Sequence, residues 1–199
     1  GEDGINEYIL KHLKLDSGVV LEIGAWDGFF DSNCANLWSN GSYNGILIEA
    51  TSKLNIADLE SRYDNINCYR ELISSSNTLE DVIDKCKFDV DEDNFVLASI
   101  DVDGDDLNVA RSLGKYKPII LIVEPNGDVI TRSNSNGSTI KELIDFGVDF
   151  GYDFMGMSGH VGRHSGNVYL IRNDYKDKFD ICSKPWQQRG IILSEGVLY

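Results

Sequence analysis

One stretch constrains this chain more than any other: Val19-Val20-Leu21-Glu22-Ile23, then Gly24-Ala25-Trp26-Asp27-Gly28, then Phe29 and Phe30. A short run rich in β-branched side chains, two spaced glycines and a further apolar-periodic segment predict a buried strand, a tight turn and a helix. That is the first βα unit of a doubly wound sheet. In such folds a ligand binds outside the carboxyl ends of the strands, where glycine lets the backbone approach closely. The turn from Gly24 to Gly28 is therefore the first candidate cofactor site.

Charge narrows the choice of cofactor. A dinucleotide fingerprint is G-x-G-x-x-G, whose bare N–H groups meet a pyrophosphate. Here bulky Trp26 stands at the second position after Gly24, and Asp27 puts a carboxylate where phosphates would lie. S-adenosyl-L-methionine has no phosphate; it carries a sulfonium and an ammonium, which Glu22 and Asp27 attract. The next apolar run, Gly45 to Glu49, ends in another acid, placed to accept both ribose hydroxyls. The expected cofactor set is Glu22, Gly24, Ala25, Asp27, Gly28, Glu49, Ala50 and Asp101. Against it stands the plainer reading that Gly24 and Gly28 only turn a strand into a helix.

A length of 199 residues suits one domain spanning 1–199, with an opening helix over about 3–15 and a C-terminal extension over about 173–199. The net charge of −15 opposes nucleic acid or an anionic membrane as partner, since both demand a basic footprint. A small-molecule or glycan acceptor fits better. No apolar run reaches the length of a membrane span. Cys34, Cys68, Cys86 and Cys182 lie far apart without a C-x-x-C pair and read as reduced thiols of a cytoplasmic protein.

Taken in order, the opening helix runs from about Asp3 or Gly4 to Leu15, and after Gly28 a helix is expected through Phe29, Phe30, Ala35, Leu37 and Trp38 to Asn40-Gly41. Further strands are expected at Gly45–Glu49, Ile66–Tyr69, Phe95–Ile100 and Pro118–Val123. Helices are expected from Leu54 to Arg62, after an Asn77 cap, from Leu107 to Leu113, and from a Ser138 cap through Val148 to Gly151. Tyr152–Met157 and Asn167–Ile171 read as a closing antiparallel hairpin, because the segment between them has no helical pattern. The expectation is an α/β fold: one doubly wound, mostly parallel seven-stranded sheet with helices on both faces.

Five segments also resemble a known family. They are Glu2-Asp3-Gly4-Ile5 before a helix, Leu21 to Gly28 followed by Ser32-Asn33, Gly45-x-Leu47-Ile48-Glu49, Ser99 to Gly104 with Asp106, and Glu124-x-Asn126. Together, over most of the chain, they resemble FkbM-type methyltransferases. The resemblance implies a class I, Rossmann-like fold with strand order 3-2-1-4-5-7-6. It also implies S-adenosyl-L-methionine as cofactor and O-methylation of hydroxyls on sugars, glycans or secondary metabolites. Cys34, Ala50 and Pro125 depart from the family's usual residues, which bears on the acceptor more than on the cofactor.

Acids gather at two strand ends: Asp101, Asp103, Asp105 and Asp106 after the fourth, Glu124 with Asn126 after the fifth. Asp101, Asp103, Glu124 and Asn126 offer oxygen ligands that suit Mg²⁺ or Mn²⁺, which would hold an acceptor hydroxyl and lower its pKa. Alternatively, Asp101 and Asp103 hydrogen-bond the cofactor and nearby backbone while Asp105 caps the next helix. His160 and His164 lie in the last hairpin loop, where either would serve as general base, as would Asp101. The sequence thus reads as a methyltransferase. Its rivals are a metal-dependent nucleotide-sugar glycosyltransferase built on Asp101-x-Asp103, and a non-catalytic cofactor-binding module. The glycosyltransferase reading explains the acids but leaves Gly24, Gly28 and Glu49 without a task.

Overall fold

Alternation along the strands sorts the core into two layers. On β1 (Gly18–Ile23), Val19, Leu21 and Ile23 belong to one apolar cluster and Val20 to the other; on β2 (Tyr43–Ile48), Ile46 and Ile48 oppose Leu47 in the same way. A strand buried on both faces needs helices on both sides. Here α1 (Glu2–Leu13), α2 (Ala35–Trp38) and α3 (Ile56–Arg62) cover one face, through Ile5, Ile9, Trp38 and Leu59. The other face packs against α4 (Leu79–Ile83), α5 (Asp106–Arg111) and α6 (Ile140–Phe150), through Leu79, Val82, Val109, Leu143 and Ile144.

The computed structural model describes residues 2–127, 131, 137–158 and 166–184. The remaining strands are β3 (Ile66–Tyr69), β4 (Phe95–Ile100), β5 (Ile120–Val123), β6 (Tyr152–Met157) and β7 (Val168–Arg172). All seven form one sheet in the order β3-β2-β1-β4-β5-β7-β6, the class I methyltransferase-like arrangement that the family resemblance implies. β1 pairs in parallel with β2 and β4, from Gly18 opposite Tyr43 to Ile23 opposite both Ile48 and Ile100. β7 runs antiparallel between β5 and β6, closing the expected hairpin. The carboxyl ends of β1, β2, β4 and β5 therefore lie side by side along one edge.

Several local expectations are corrected. The helix expected after Gly28 is reduced to the four residues Ala35–Trp38, because Gly28 and Asp31 have φ of 93° and 51°. A right-handed helix cannot pass through left-handed backbone. Asn77 is not the cap of α4: Thr78 is, in a reciprocal capping box with Asp81, while the Asn77 amide bonds Glu71 and the Leu72 carbonyl. Thr139, not Ser138, caps α6 in the same way with Glu142. Asp105 stands at the N-cap position of α5 but its side chain accepts from Asn108, not from the helix backbone. Cys34, Cys68 and Cys86 are free thiols, as expected. Among the described residues no helix is long and apolar enough to cross a membrane.

Candidate active site at the carboxyl edge

The site is built around Gly24. Its φ is +80°, and its N–H and that of Ala25 both donate to the Ile48 carbonyl, at 3.0 and 3.1 Å. A Cβ at Gly24 would lie 1.7 Å from the Asp101 carbonyl oxygen, so the ends of β1 and β4 meet backbone to backbone there. Two residues on, Trp26 also adopts left-handed backbone, φ 49°, a conformation costly for any residue with a Cβ. Its N–H donates to Glu49 Oε2 at 3.0 Å, while the Thr51 N–H donates to Glu49 Oε1 at 2.7 Å. Glu49, 7% exposed at the end of β2, is thereby fixed with one bond on each oxygen, and each oxygen keeps further acceptor capacity. Exposed Ala50 borders it, and the Ala25 side chain is buried in the core.

The other expected cofactor residues are placed differently. Glu22, 5% exposed, accepts from Ser32 Oγ at 2.5 Å and from the Asn33 N–H at 2.7 Å. Asn33 in turn donates to Ser99 Oγ and receives the Asn6 amide on its carbonyl, each at 3.0 Å, which ties α1, β1 and β4 together under the edge. Asp27 Oδ1 accepts from the N–H groups of Phe29 and Phe30, at 2.9 and 2.8 Å, and those bonds hold its carboxyl below the usual range. Gly28 faces the core, where a Cβ would meet Leu59 at 3.2 Å. Gly24 thus meets the Asp101 backbone directly and Glu49 joins the turn through the Trp26 N–H, while Glu22 and Asp27 organise the loop over 25–34. Sequence reasoning gave no role to Ser32, Asn33, Ser99 or Asn6; the Ser32-Asn33 pair was visible only as part of the family resemblance.

Burial pushes the Glu22 carboxyl up to about 7, against the Ser32 and Asn33 bonds that pull it down. A folded pKa above the unfolded one means that the native state binds the proton more tightly. The resulting stability is fully present below about pH 4.5 and is lost as pH rises through 7. Its size is on the order of 3 kcal/mol. The melting temperature is expected to fall between pH 5 and 8, and Glu22→Gln should flatten that fall; equal slopes for both proteins would refute it.

At the next strand ends, carboxylate oxygens of Asp101, Asp103 and Glu124 all lie within 4.8 Å of one another. Burial raises both Asp101 and Glu124, and the negative charges of Asp101 and Asp106 push Glu124 further. Asp106 is fully buried and accepts from the Val102 N–H at 2.7 Å and the Gly104 N–H at 3.0 Å; burial lifts it to about 6. The Asn126 amide nitrogen donates to Asp106 at 2.7 Å and lies 3.4 Å from Glu124. Asn126 thus props the acids from behind, and Asp106, which the sequence showed only as one of a run, shapes the loop that carries Asp101 and Asp103. His160 and His164 lie outside the described residues.

No family model matches the chain, and no curated protein does, so the FkbM-type likeness rests on the sequence motifs. Among solved structures, a SAM-dependent methyltransferase from Aquifex aeolicus is similar over 83% of this chain and 88% of its own, at 13% identity and a TM-score of 0.46. A precorrin-6y C5,15-methyltransferase from Geobacter metallireducens is similar over 83% and 84%, at 16% identity and a TM-score of 0.45. Likeness at that level says nothing of chemistry. The chain itself has a class I methyltransferase-like sheet whose carboxyl edge gathers a backbone-tight glycine turn, a fixed acid after β2 and a triad of acids after β4 and β5.

Proposed function

We propose that the protein is an S-adenosyl-L-methionine-dependent methyltransferase acting on a hydroxyl of a sugar, glycan or related small polar acceptor. The observation that carries this reading is Glu49, an acid ending β2 whose two oxygens are each fixed by one backbone N–H beside the Gly24 turn. An acceptor-only group so held suits a pair of ribose hydroxyls. The donor set also argues against a pyrophosphate. The described helix that follows the turn, α2, starts only at Ala35, and the ends of β4 and β5 present the carboxylates Asp101, Asp103 and Glu124.

S-adenosyl-L-methionine, when bound, supplies a methyl group on a positively charged sulfur, open to in-line displacement by an oxygen. The chain's part is to hold and align. Glu49 accepts the ribose hydroxyls, Gly24 lets the backbone come close, and Asp101 with Glu124 faces the acceptor. With both carboxyl groups raised by burial, Asp101 further by the charge of Asp103 and Glu124 further by those of Asp101 and Asp106, the pair suits acceptance of the hydroxyl proton. His160 or His164 is the alternative base. The three carboxylates of Asp101, Asp103 and Glu124 also fit a hard divalent cation such as Mg²⁺ or Mn²⁺, because a cation would relieve their like-charge crowding. Calorimetry with S-adenosylhomocysteine tests the cofactor assignment. Glu49→Ala should weaken binding by about 1–3 kcal/mol, the range for lost charge-assisted hydrogen bonds. Unchanged affinity would sink it.

A further inference from the structure

The Ser32 hydroxyl is fully committed. Its oxygen accepts from the N–H groups of Cys34, at 3.2 Å, and Ala35, at 2.8 Å, and donates to Glu22 Oε2 at 2.5 Å. With both lone pairs taken, the hydroxyl hydrogen can go only to the carboxylate. Asn33 is equally fixed: its N–H donates to Glu22 Oε1 at 2.7 Å, while its side chain bonds Ser99 and its carbonyl takes the Asn6 amide. Each oxygen of Glu22 therefore faces a donor. Ionised, the carboxylate accepts both bonds; protonated, one of its oxygens carries a hydrogen that meets another, and one bond parts.

These two bonds anchor the far end of the loop that carries the candidate cofactor turn. The near end is held by the Gly24 and Ala25 N–H groups on the Ile48 carbonyl, and the middle is stitched internally, by Asp27 on Phe29 and Phe30 and by Gly28 on the Ala25 carbonyl. Of these anchors, only the Glu22 end hangs on a group whose charge changes near neutral pH, since burial lifts that carboxyl to about 7. The ionisable groups facing it are Asp101 from β4, the Cys34 thiol of its own loop and, beyond that thiol, Asp3 from α1; its β2 neighbour is Leu47. None of these is a cation. We propose that Ser32 is a positioning residue of the cofactor site: with Asn33 it ties the loop over 25–34 to ionised Glu22, and the tie slackens when Glu22 takes a proton. A ligand that needs the ionised form binds more tightly as pH rises, and levels off once Glu22 is ionised in the free protein. The fold itself favours the neutral form, so from about pH 5 to 8 affinity should climb while the melting temperature falls. The inference rests on the methyltransferase reading for its ligand.

The test follows the Asn33 amide by NMR through a pH titration of the whole chain, and S-adenosylhomocysteine binding by calorimetry from about pH 5.5 to 8.5. The Asn33 signal should titrate with a midpoint near 7 in the wild type, at higher pH in Ser32→Ala, which lacks a bond that stabilises the anion, and not at all in Glu22→Gln. S-adenosylhomocysteine has no sulfonium, so its pH dependence reports the loop and not an attraction between charges. Its affinity should rise about tenfold over that range in the wild type, as for a proton held about tenfold less tightly in the complex, and stay level in Glu22→Gln. Ser32→Ala should bind about tenfold more weakly at neutral pH and recover at alkaline pH, and Ser32→Thr, which keeps the hydroxyl, should restore the wild-type profile. An equal loss at every pH in Ser32→Ala would reduce Ser32 to a structural prop, and a pH dependence that survives in Glu22→Gln would belong to Asp106 or Glu124; either result overturns the proposal. So does an Asn33 amide that does not titrate. Failure of the methyltransferase reading would look different: Asn33 would titrate as described, and the wild type would bind no S-adenosylhomocysteine at any pH.

Discussion

Gly24→Ala is expected to cost the fold about 3–5 kcal/mol, at the upper end of single substitutions, and to abolish cofactor binding. Two causes add. An L-residue at φ +80° pays about 1–2 kcal/mol for left-handed backbone. The larger cause is the Asp101 carbonyl oxygen, 1.7 Å from the new Cβ. That oxygen belongs to the backbone and cannot swing aside, and the Asp101 N–H is itself held by the Ile23 carbonyl at 3.1 Å. Relief requires parting the ends of β1 and β4, the place where the cofactor would lie. Gly24→Val adds a β-branch to the same clash. Gly41→Ala is the control: its φ is +81° but nothing lies within 4 Å of its Cβ, so it should show the backbone cost alone, about 1–2 kcal/mol. Urea unfolding of the three proteins checks this. A Gly24→Val protein that unfolds and binds like wild type would place the pocket elsewhere.

The sheet was legible because its strands are buried runs with clear ends. Ile66–Tyr69, Phe95–Ile100 and Tyr152–Met157 occur with the boundaries read from sequence. Helix starts slipped by a residue where two cap formers stand together. Asn77-Thr78 and Ser138-Thr139 are each resolved by the acid three residues after the threonine, Asp81 or Glu142, which returns the bond. The helix expected after Gly28 failed for a more interesting reason. Its apolar spacing counted Phe29 and Phe30 as core-facing, and both are substantially exposed. Periodicity cannot tell an aromatic that packs inward from one held outward. The partners of Glu22 were equally hidden, since Ser32 and Asn33 reach it only when the loop folds back over β1. Asp101, Asp103 and Glu124, by contrast, were readable as neighbours once adjacent strands were assigned to their segments.

Chelation should separate the two ways the acids could serve catalysis. If Asp101, Asp103 and Glu124 hold a divalent cation against the acceptor hydroxyl, EDTA should abolish methyl transfer while leaving S-adenosylhomocysteine binding nearly intact. The cofactor's expected contacts, Gly24 and Glu49, lie on the β1 and β2 ends, away from the Glu124 end of the triad. Mg²⁺ or Mn²⁺ should restore turnover. Glu124→Gln should imitate chelation, because it removes a charged ligand at almost constant volume and also ends the repulsion with Asp101 and Asp106. If the carboxyls act instead as a proton acceptor, EDTA does nothing. Glu124→Gln then slows turnover by about 10²–10⁴-fold, the usual worth of a general base, and removes the acidic limb of the pH–rate profile. Full turnover in EDTA, on protein shown metal-free by elemental analysis, together with an unaltered profile in Glu124→Gln, would exclude both roles and leave His160 and His164 as the bases to substitute next.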